Sequence, residues 1–237
     1  MTMSKSPANQ PIIHVFPHID FEITVDDVLK AMKVRKVSPS LERITAELVE
    51  RSLEVAKPKA LCRVCYVEDR TDNAVVIEDR TFTSRVLRQN LDGVQRVFPF
   101  VATCGTEFEK LMLDRSDIMA SYCLDTIMMI AVQQARRHVE AYLKDTYAVG
   151  QLSRMAPGSL QDWPLEEQQP LFDLLGDVEQ QIGVRLTERF LMIPIKSVSG
   201  IFFPTEVRFE SCQLCPRLNC PGRRAPHDAG LSAQYGV

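Results

Sequence analysis

Three cysteines lie within nine positions near the C-terminus of the sequence: Cys212, Cys215 and Cys220. Thiolates are soft ligands, and both iron–sulfur clusters and zinc sites are built from closely spaced cysteines. Pro216 and Pro221 each follow one of these cysteines and stiffen the loop. The spacing therefore predicts a metal site. A 4Fe-4S cluster is favoured, structural zinc is the alternative, and a loop without metal is the third interpretation.

Either metal needs a fourth ligand, or else leaves one position open. The candidates are Cys104, which follows a predicted strand, and His227, seven residues beyond the last cysteine of the cluster. The other cysteines are interpreted as buried apolar thiols, because free cysteine is among the most buried residue types. In particular, Cys62 and Cys65 are three positions apart in a strand-like run, which points them to opposite faces.

Composition and charge indicate the compartment and exclude some classes of partner. The chain has 237 residues, 28 basic against 31 acidic, with a net charge of −3 and no basic patch of the kind that binds nucleic acid. No continuous apolar run approaches the roughly 18 residues of a membrane span, and the N-terminus lacks a secretory signal pattern. We expect a cytoplasmic protein, and in that reducing compartment clustered cysteines favour a metal over disulfides.

Helices and strands are mixed along the chain without regular alternation, which predicts an α+β fold. Ser38 followed by Pro39 is a helix start, and Pro58 stops that helix. The runs "ALCRVCYVE", "NAVVIED" and "VQRVFPFVAT" are typical of strands. Thr106 to Glu109 has the form of a capping box, which predicts a long helix from there toward Gly150.

These patterns divide the chain into four parts. We expect an N-terminal extension over 1–20, one α+β domain over 21–209, a cysteine loop over 210–224 and a flexible tail over 225–237.

Residues 152–204 resemble the activation (reactivation) domain of vitamin B12-dependent methionine synthase, including its shorter stand-alone versions in microbes. The matching residues, in the family's order and spacing, are Arg154, Pro157-Gly158, Leu186-Thr187, Met192, Pro194 and Ser197-Val198-Ser199-Gly200. Upstream, "ATCGTEFEKL" and "CLDTIMMIAVQQA" are similar to stand-alone members. The resemblance extends over roughly residues 20 to 205, most weakly in the N-terminal third.

This resemblance implies a C-shaped α+β domain with a central antiparallel sheet flanked by helices. It also implies that the domain binds S-adenosylmethionine and presents it to a corrinoid held on another domain or protein. There, one electron and one methyl group restore methylcobalamin from inactive cob(II)alamin. The implied cofactor-binding residues are Arg154, Pro157, Gly158, Ser159, Gln133, Ser197, Ser199 and Gly200.

The residue chemistry is compatible with such a site. The glycine of a Pro-Gly turn lets backbone approach a ligand, and Arg154 could grip the ligand's carboxylate with two hydrogen bonds. Alternatively, Arg154 pairs with a surface acid and Gly158 is an ordinary turn residue. The sequence departs from the family at Ser159, where the family usually has tyrosine, and at Gln133, where stand-alone members usually have glutamate.

The corrinoid itself is expected on a partner, because the Asp-x-His-x-x-Gly pattern of B12-binding domains does not occur in this sequence. Phe202 and Phe203 are candidates for apolar contact with that partner, and core packing is the alternative.

Three functions follow from these patterns. The first is reactivation of a corrinoid protein or B12-dependent methyltransferase, with an iron–sulfur cluster relaying the electron from a donor protein. The second is a non-catalytic module that grips the corrinoid protein and carries a structural zinc. The third is an S-adenosylmethionine-dependent methyltransferase acting on a small molecule.

Overall fold

A computed structural model describes residues 11–111, 117–220 and 222–236. Within these ranges the predicted α+β fold is confirmed, since an antiparallel sheet is flanked by helices on both faces. The strands are β1 (Ile13–Phe16), β2 (Lys59–Arg63), β3 (Cys65–Arg70), β4 (Ala74–Ile77), β5 (Arg80–Thr83), β6 (Arg96–Thr103), β7 (Leu152–Met155), β8 (Arg185–Leu186), β9 (Met192–Ile193) and β10 (Ser197–Pro204). The helices are α1 (Val25–Met32), α2 (Pro39–Val55), α3 (Arg85–Asn90), α4 (Ile118–Thr146), α5 (Gln168–Leu175), α6 (Val178–Ile182) and α7 (Ala229–Tyr235).

Strand β6 is the centre of the sheet. One of its edges pairs with β10, from Ser197 opposite Thr103 to Phe202 opposite Phe98, while β2 and β3 share its other edge. Strand β7 pairs with the second half of β10 only, starting at Ile201. The first half of β10 therefore has an edge that β7 does not cover.

Side chains alternate between the two faces of this sheet and form two cores. On one face, Phe98, Phe100 and Phe202 pack against the buried side of α4. The rings of Phe100 and Phe202 are stacked with centroids 4.3 Å apart. On the other face, Phe203 packs among residues of α5 and α6. The predicted docking role of Phe202 and Phe203 is therefore wrong, because both rings are buried in the protein's own core.

Two local predictions are confirmed. Ser38 caps α2, accepting a hydrogen bond from the backbone N–H of Leu41 over 3.2 Å, and the helix ends at Val55. Cys62 and Cys65 are both buried, and they belong to the cores on opposite faces of the sheet. Burial raises the pKa of each thiol to about 12, as expected for apolar, structural cysteines.

The predicted capping box at Thr106 is wrong. Residues Thr106–Lys110 form a short 3-10 helix with no side-chain cap, and α4 begins later, at Ile118, with Asp117 as its N-cap. Within this 3-10 helix, the carboxylate of Glu107 pairs with Lys59 of β2, at 2.8 Å. Residues 112–116, which the predicted helix would have included, lie outside the described residues.

The two ends of the chain contain more structure than the sequence indicates. Residues 1–10 of the predicted extension lie outside the described residues, but Ile13–Phe16 form an edge strand on β2. In the segment predicted to be a flexible tail, Asp228 caps α7 and Tyr235 donates a hydrogen bond to Asn90 over 3.2 Å. The tail is thus attached to α3.

Helix α4 is long and apolar enough to meet a length and composition criterion for a membrane span. Core helices of soluble domains meet the same criterion, and α4 buries Ile127, Ala131 and Val139 inside the protein. Its apolar character is accounted for by this packing.

Candidate functional site

A cavity of about 450 Å³ lies along the uncovered edge of β10, next to the end of β7. Six of the eight predicted cofactor-binding residues line it: Arg154, Pro157, Gly158, Ser159, Ser197 and Ser199. Apolar side chains of Leu191, Met192 and Ile195 form the opposite rim. The structure thus brings into one place residues that are up to 45 positions apart in the sequence.

The Pro157-Gly158 turn forms one wall of this cavity. Gly158 has a φ of +76°, which favours glycine, and its N–H donates to the carbonyl of Trp163 over 2.7 Å. The hydroxyl of Ser159 donates to the carbonyl of Ala156 over 2.6 Å. These hydrogen bonds fix the turn, with Gly158 and Ser159 exposed beside the cavity.

The two serines of β10 hold the floor of the cavity in place. The hydroxyl of Ser197 lies 2.7 Å from the carbonyl oxygen of Pro194 and 2.9 Å from the hydroxyl of Thr103. Ser199 donates to the side-chain oxygen of Gln168 over 2.7 Å. Both hydroxyls already have partners in the protein, so they shape the site by positioning its walls.

Arg154 supplies the charge of the site. It lies on β7 opposite Phe202, and among the described residues its guanidinium makes no hydrogen bond or ion pair. Its pKa is lowered to about 10, chiefly by burial and also by the positive charges of Arg224 and Arg136. A desolvated cation without a partner is costly, so this group is suited to bind an anion that enters the cavity.

The two acids whose charges act on Arg154, Glu140 and Glu210, are paired with other cations. Glu140 accepts from Arg136 over 2.9 Å and from Lys144 over 3.0 Å. Glu210 pairs in the same way with Arg208 and Arg224. The alternative interpretation, in which Arg154 pairs with a surface acid, therefore does not hold among the described residues.

Gln133 and Gly200 lie outside the cavity lining formed by the described residues. Gln133 is on α4, one helical turn before Arg136. At Gly200, a Cβ atom would come within 2.3 Å of the carbonyl oxygen of Met155. Gly200 therefore lets β7 approach β10 closely, which is a packing role.

Sequence reasoning missed Gln168, whose side chain lines the cavity and binds Ser199. Gln168 lies on α5, 31 positions before Ser199, and no local pattern marks it. Its amide nitrogen also donates to the carbonyl of Phe190 over 2.9 Å, which ties the loop before β9 to α5.

The cysteine loop, residues 210–224, lies on the other side of the Pro-Gly turn. A second cavity of about 480 Å³ shares Gly158 and Ser159 with the first and has Cys215 in its wall. The three thiols of the loop are half-buried.

Arg223 organises this loop. Its guanidinium donates to the carbonyl oxygens of Cys212 and Ala225 through Nη1, and to those of Cys215 and Arg217 through Nη2, at 2.7 to 2.9 Å. The backbone N–H of Arg224 also lies 3.4 Å from Cys212 Sγ, as a donor. The fold of the loop thus rests on one side chain inserted among its carbonyl groups.

The placement of the three thiols does not support the predicted metal site. Among the described residues, no group of three or more His, Cys, Asp and Glu side chains is placed to hold an ion. The structure does not support Cys104 as the fourth ligand. Cys104 is buried just after β6 in the core with α1, α2 and α4, and its thiol donates to the carbonyl of Gly105. Burial raises its pKa to about 12. His227 Nε2 lies 3.3 Å from the hydroxyl of Ser232, and Pro221 is outside the described residues.

A family model and a solved structure both match this chain. The model of the family "Vitamin B12 dependent methionine synthase, activation domain" matches residues 107–210, which run from the turn before α4 to the start of the cysteine loop. A search of curated proteins found no match.

Among solved structures, the chain is similar to the crystal structure of the MetH reactivation domain bound to AdoHcy. The TM-score is 0.58, with 15% sequence identity over 84% of this chain and 81% of the other. The two comparisons confirm the resemblance predicted from the sequence. The fold is that of a methionine synthase reactivation domain, and residues 107–210 carry the sequence pattern of the activation-domain family.

Proposed function

We propose that this chain binds S-adenosylmethionine in the cavity beside β10 and presents its methyl group to a corrinoid carried by another protein or domain. The observation that carries the proposal is Arg154, a desolvated guanidinium without a partner among the described residues, on the wall of that cavity. Support comes from the family match, which includes Arg154, and from the bound AdoHcy of the structural relative.

The cavity suits the two ends of such a ligand. The carboxylate of the methionine part would bind Arg154 through charge-assisted hydrogen bonds. Gly158, exposed in the Pro157-Gly158 turn, allows a flat nucleoside to lie close to the backbone. The sulfonium is cationic, so it would lie away from Arg154 and toward the apolar rim of Met192 and Ile195.

The proposed reaction is a reductive methylation of cob(II)alamin. Cob(II)alamin takes up one electron to become cob(I)alamin, and the cobalt then attacks the methyl carbon of S-adenosylmethionine. The carbon–sulfur bond breaks, which leaves S-adenosylhomocysteine and methylcob(III)alamin. In this proposal a partner protein in the cytoplasm brings the corrinoid, and a separate donor protein supplies the electron.

The surface next to the cavity supports docking of such a partner. Ile195 is 84% exposed and Leu191 is 55% exposed, although both residues are apolar. Ile195 also borders an apolar cavity of about 400 Å³ between α4 and residues 193–196. Exposed apolar side chains around a cleft are typical of interaction surfaces.

A metal on Cys212, Cys215 and Cys220 stays a prediction of the sequence, and no step of the proposal depends on it. Protein purified without oxygen would be analysed for iron, zinc and acid-labile sulfide, together with its visible spectrum and a Cys215→Ala variant. Iron and sulfide that are lost in the variant would support an electron relay in this loop. Zinc without iron or sulfide would support a structural site. If neither metal is found, the hydrogen bonds of Arg223 are what holds the loop.

Calorimetric titration with S-adenosylhomocysteine tests the ligand. We expect Arg154→Ala to weaken binding by on the order of 2 kcal/mol, because a hydrogen-bonded charge pair is lost. Arg137→Ala is the matched control, since Arg137 is exposed on α4 next to Arg136. Equal affinities for the wild type and Arg154→Ala would remove Arg154 from the site.

Methyl transfer assays separate this function from that of a small-molecule methyltransferase. Turnover of S-adenosylmethionine is expected only with a reduced corrinoid protein present. Turnover with small acceptors alone would contradict the proposal.

A further inference from the structure

Cys212 and Cys215 are three positions apart in a 3-10 turn at the start of the cysteine loop. Consecutive backbone hydrogen bonds of the 3-10 type run through this turn, and the last of them joins the N–H of Cys215 to the carbonyl of Cys212 over 3.4 Å. Residues three apart in 3-10 geometry eclipse one another, at a rise of about 2 Å per residue. The Cα atoms of the two cysteines are therefore about 6 Å apart, with both side chains on one face.

This spacing suits a disulfide between the two cysteines. Disulfides join residues whose Cα atoms are about 4.4–6.8 Å apart, so the two sulfurs can bond without a large movement of the backbone. Cys212 and Cys215 are half-buried free thiols, whereas the four cysteines of the cores are buried. Cys220 is also half-buried, but it lies beyond the 3-10 turn. Among the described residues, the turn thus brings together one accessible pair.

The backbone that carries the pair is held in place on two sides. The Nη1 atom of Arg223 donates to the carbonyl of Cys212 over 2.7 Å, and its Nη2 atom donates to the carbonyl of Cys215 over 2.8 Å. Between the two cysteines, Leu214 is buried in the core. Because the turn is already ordered, closing a disulfide in it costs little further conformational entropy.

The surroundings of the pair favour a small anionic reagent. Cys215 lines the cavity of about 480 Å³ beside the Pro-Gly turn. The cysteine loop carries three arginines, Arg217, Arg223 and Arg224, against one acid, Glu210. Arg217 is exposed, and the side chain of Arg224 is 43% exposed. Positive charge raises the local concentration of anions, and disulfides of the glutathione class are anionic.

We propose that Cys212 and Cys215 are a redox-active dithiol that is oxidised by a low-molecular-weight disulfide. The deprotonated sulfur of Cys215 attacks one sulfur of the oxidant, whose S–S bond breaks, and one thiol leaves as a mixed disulfide forms. The deprotonated sulfur of Cys212 then attacks the sulfur of Cys215 and releases the second thiol. Two electrons and the two cysteine protons pass to the oxidant. This two-electron site is independent of the proposed function.

Mass spectrometry of the full chain tests the pair. Native protein is equilibrated with mixtures of reduced and oxidised glutathione, quenched with acid, alkylated and digested with trypsin. Cleavage after arginine separates residues 209–217, which contain Cys212 and Cys215, from residues 218–223, which contain Cys220. In excess oxidised glutathione, we expect more than about half of peptide 209–217 to carry no alkyl group and to be lighter than the dithiol by two hydrogens.

Variants identify the two sulfurs. Cys220→Ser is the matched control and should give the same product as the wild type. Cys212→Ser should stop at the mixed disulfide, with glutathione on Cys215. The buried Cys62 and Cys104 are internal references, because they should stay reduced in the native protein.

Three results would overturn the inference. A disulfide that links peptide 209–217 to peptide 218–223 would make Cys220 the partner. A dithiol that persists in excess oxidised glutathione, with or without a chelator, would show that the pair does not form a disulfide. Oxidation that begins only after a chelator has removed iron or zinc would mean that these cysteines hold a metal in the native protein.

Discussion

The hydroxyl of Ser199 donates a hydrogen bond to the side-chain oxygen of Gln168, and both side chains are buried. The amide nitrogen of Gln168 in turn donates to the carbonyl of Phe190. One amide thus joins the central sheet, α5 and the loop before β9. These are the elements that frame the ligand cavity.

Replacing this amide should cost stability. We expect Gln168→Leu to lower the free energy of unfolding by about 1–3 kcal/mol, because Ser199 and the carbonyl of Phe190 would lose their buried partner. Urea unfolding would measure the change. Gln169→Leu is the control, since Gln169 is exposed and should change stability by less than about 0.5 kcal/mol. Equal effects of the two variants would contradict the role of Gln168.

Gly200 should not tolerate a side chain. A Cβ there would lie 2.3 Å from the carbonyl oxygen of Met155, so β7 would have to move away from β10. We expect Gly200→Ala to destabilise the protein by about 1–3 kcal/mol, measured by thermal or urea unfolding. At Gly150, where a Cβ meets nothing within 4 Å, the same change should be nearly neutral. A neutral Gly200→Ala would show that β7 can shift without cost.

The ion pair of Glu107 with Lys59 should make stability depend on pH. Burial by itself would raise the pKa of Glu107, but its hydrogen bond with Lys59 and the charge of that lysine hold the pKa below the ordinary value of 4.5. A depressed pKa stabilises the fold above the unfolded-state value, and this contribution is lost as the pH falls through the folded-state value.

Unfolding titrations of Glu107→Gln would test this dependence. At neutral pH the variant should be less stable than the wild type, and the difference should shrink below about pH 4. Glu109→Gln, at an exposed position on the same turn, serves as the control. A stability difference that stays constant down to pH 3 would exclude the ion pair as its source.

The cysteine loop should loosen when Arg223 is removed. Arg223→Met deletes the donors to the carbonyls of Cys212, Cys215, Arg217 and Ala225. We expect faster amide hydrogen exchange over residues 211–225 and unchanged exchange in α4. Arg217→Met should leave the loop as it is, because only the backbone of Arg217 takes part. Unchanged protection in Arg223→Met would mean that something else, such as a bound metal, holds the loop.

Local patterns in the sequence determined those features whose hydrogen bonds and packing lie within a few residues. The cap of α2 at Ser38 is such a case, because the capping bond reaches only to Leu41. The opposite faces of Cys62 and Cys65 follow from the alternation of a strand. The family pattern of Arg154, Gly158 and Ser199 was equally readable from order and spacing, and it pointed to the residues that line one cavity.

Tertiary structure alone decided the features that depend on distant partners. Thr106 to Glu109 has the local form of a capping box, but this segment is a 3-10 helix in which Glu107 pairs with Lys59, 48 positions away. Cys104 has a suitable ligand atom, yet the course of β6 buries it in a different core from the cysteine loop. Arg154 lies on the cavity wall because β7 pairs with β10, and Glu140 and Glu210 are paired with other cations. Electrostatic and packing energies depend on distances in space, and the sequence fixes these only through the complete fold.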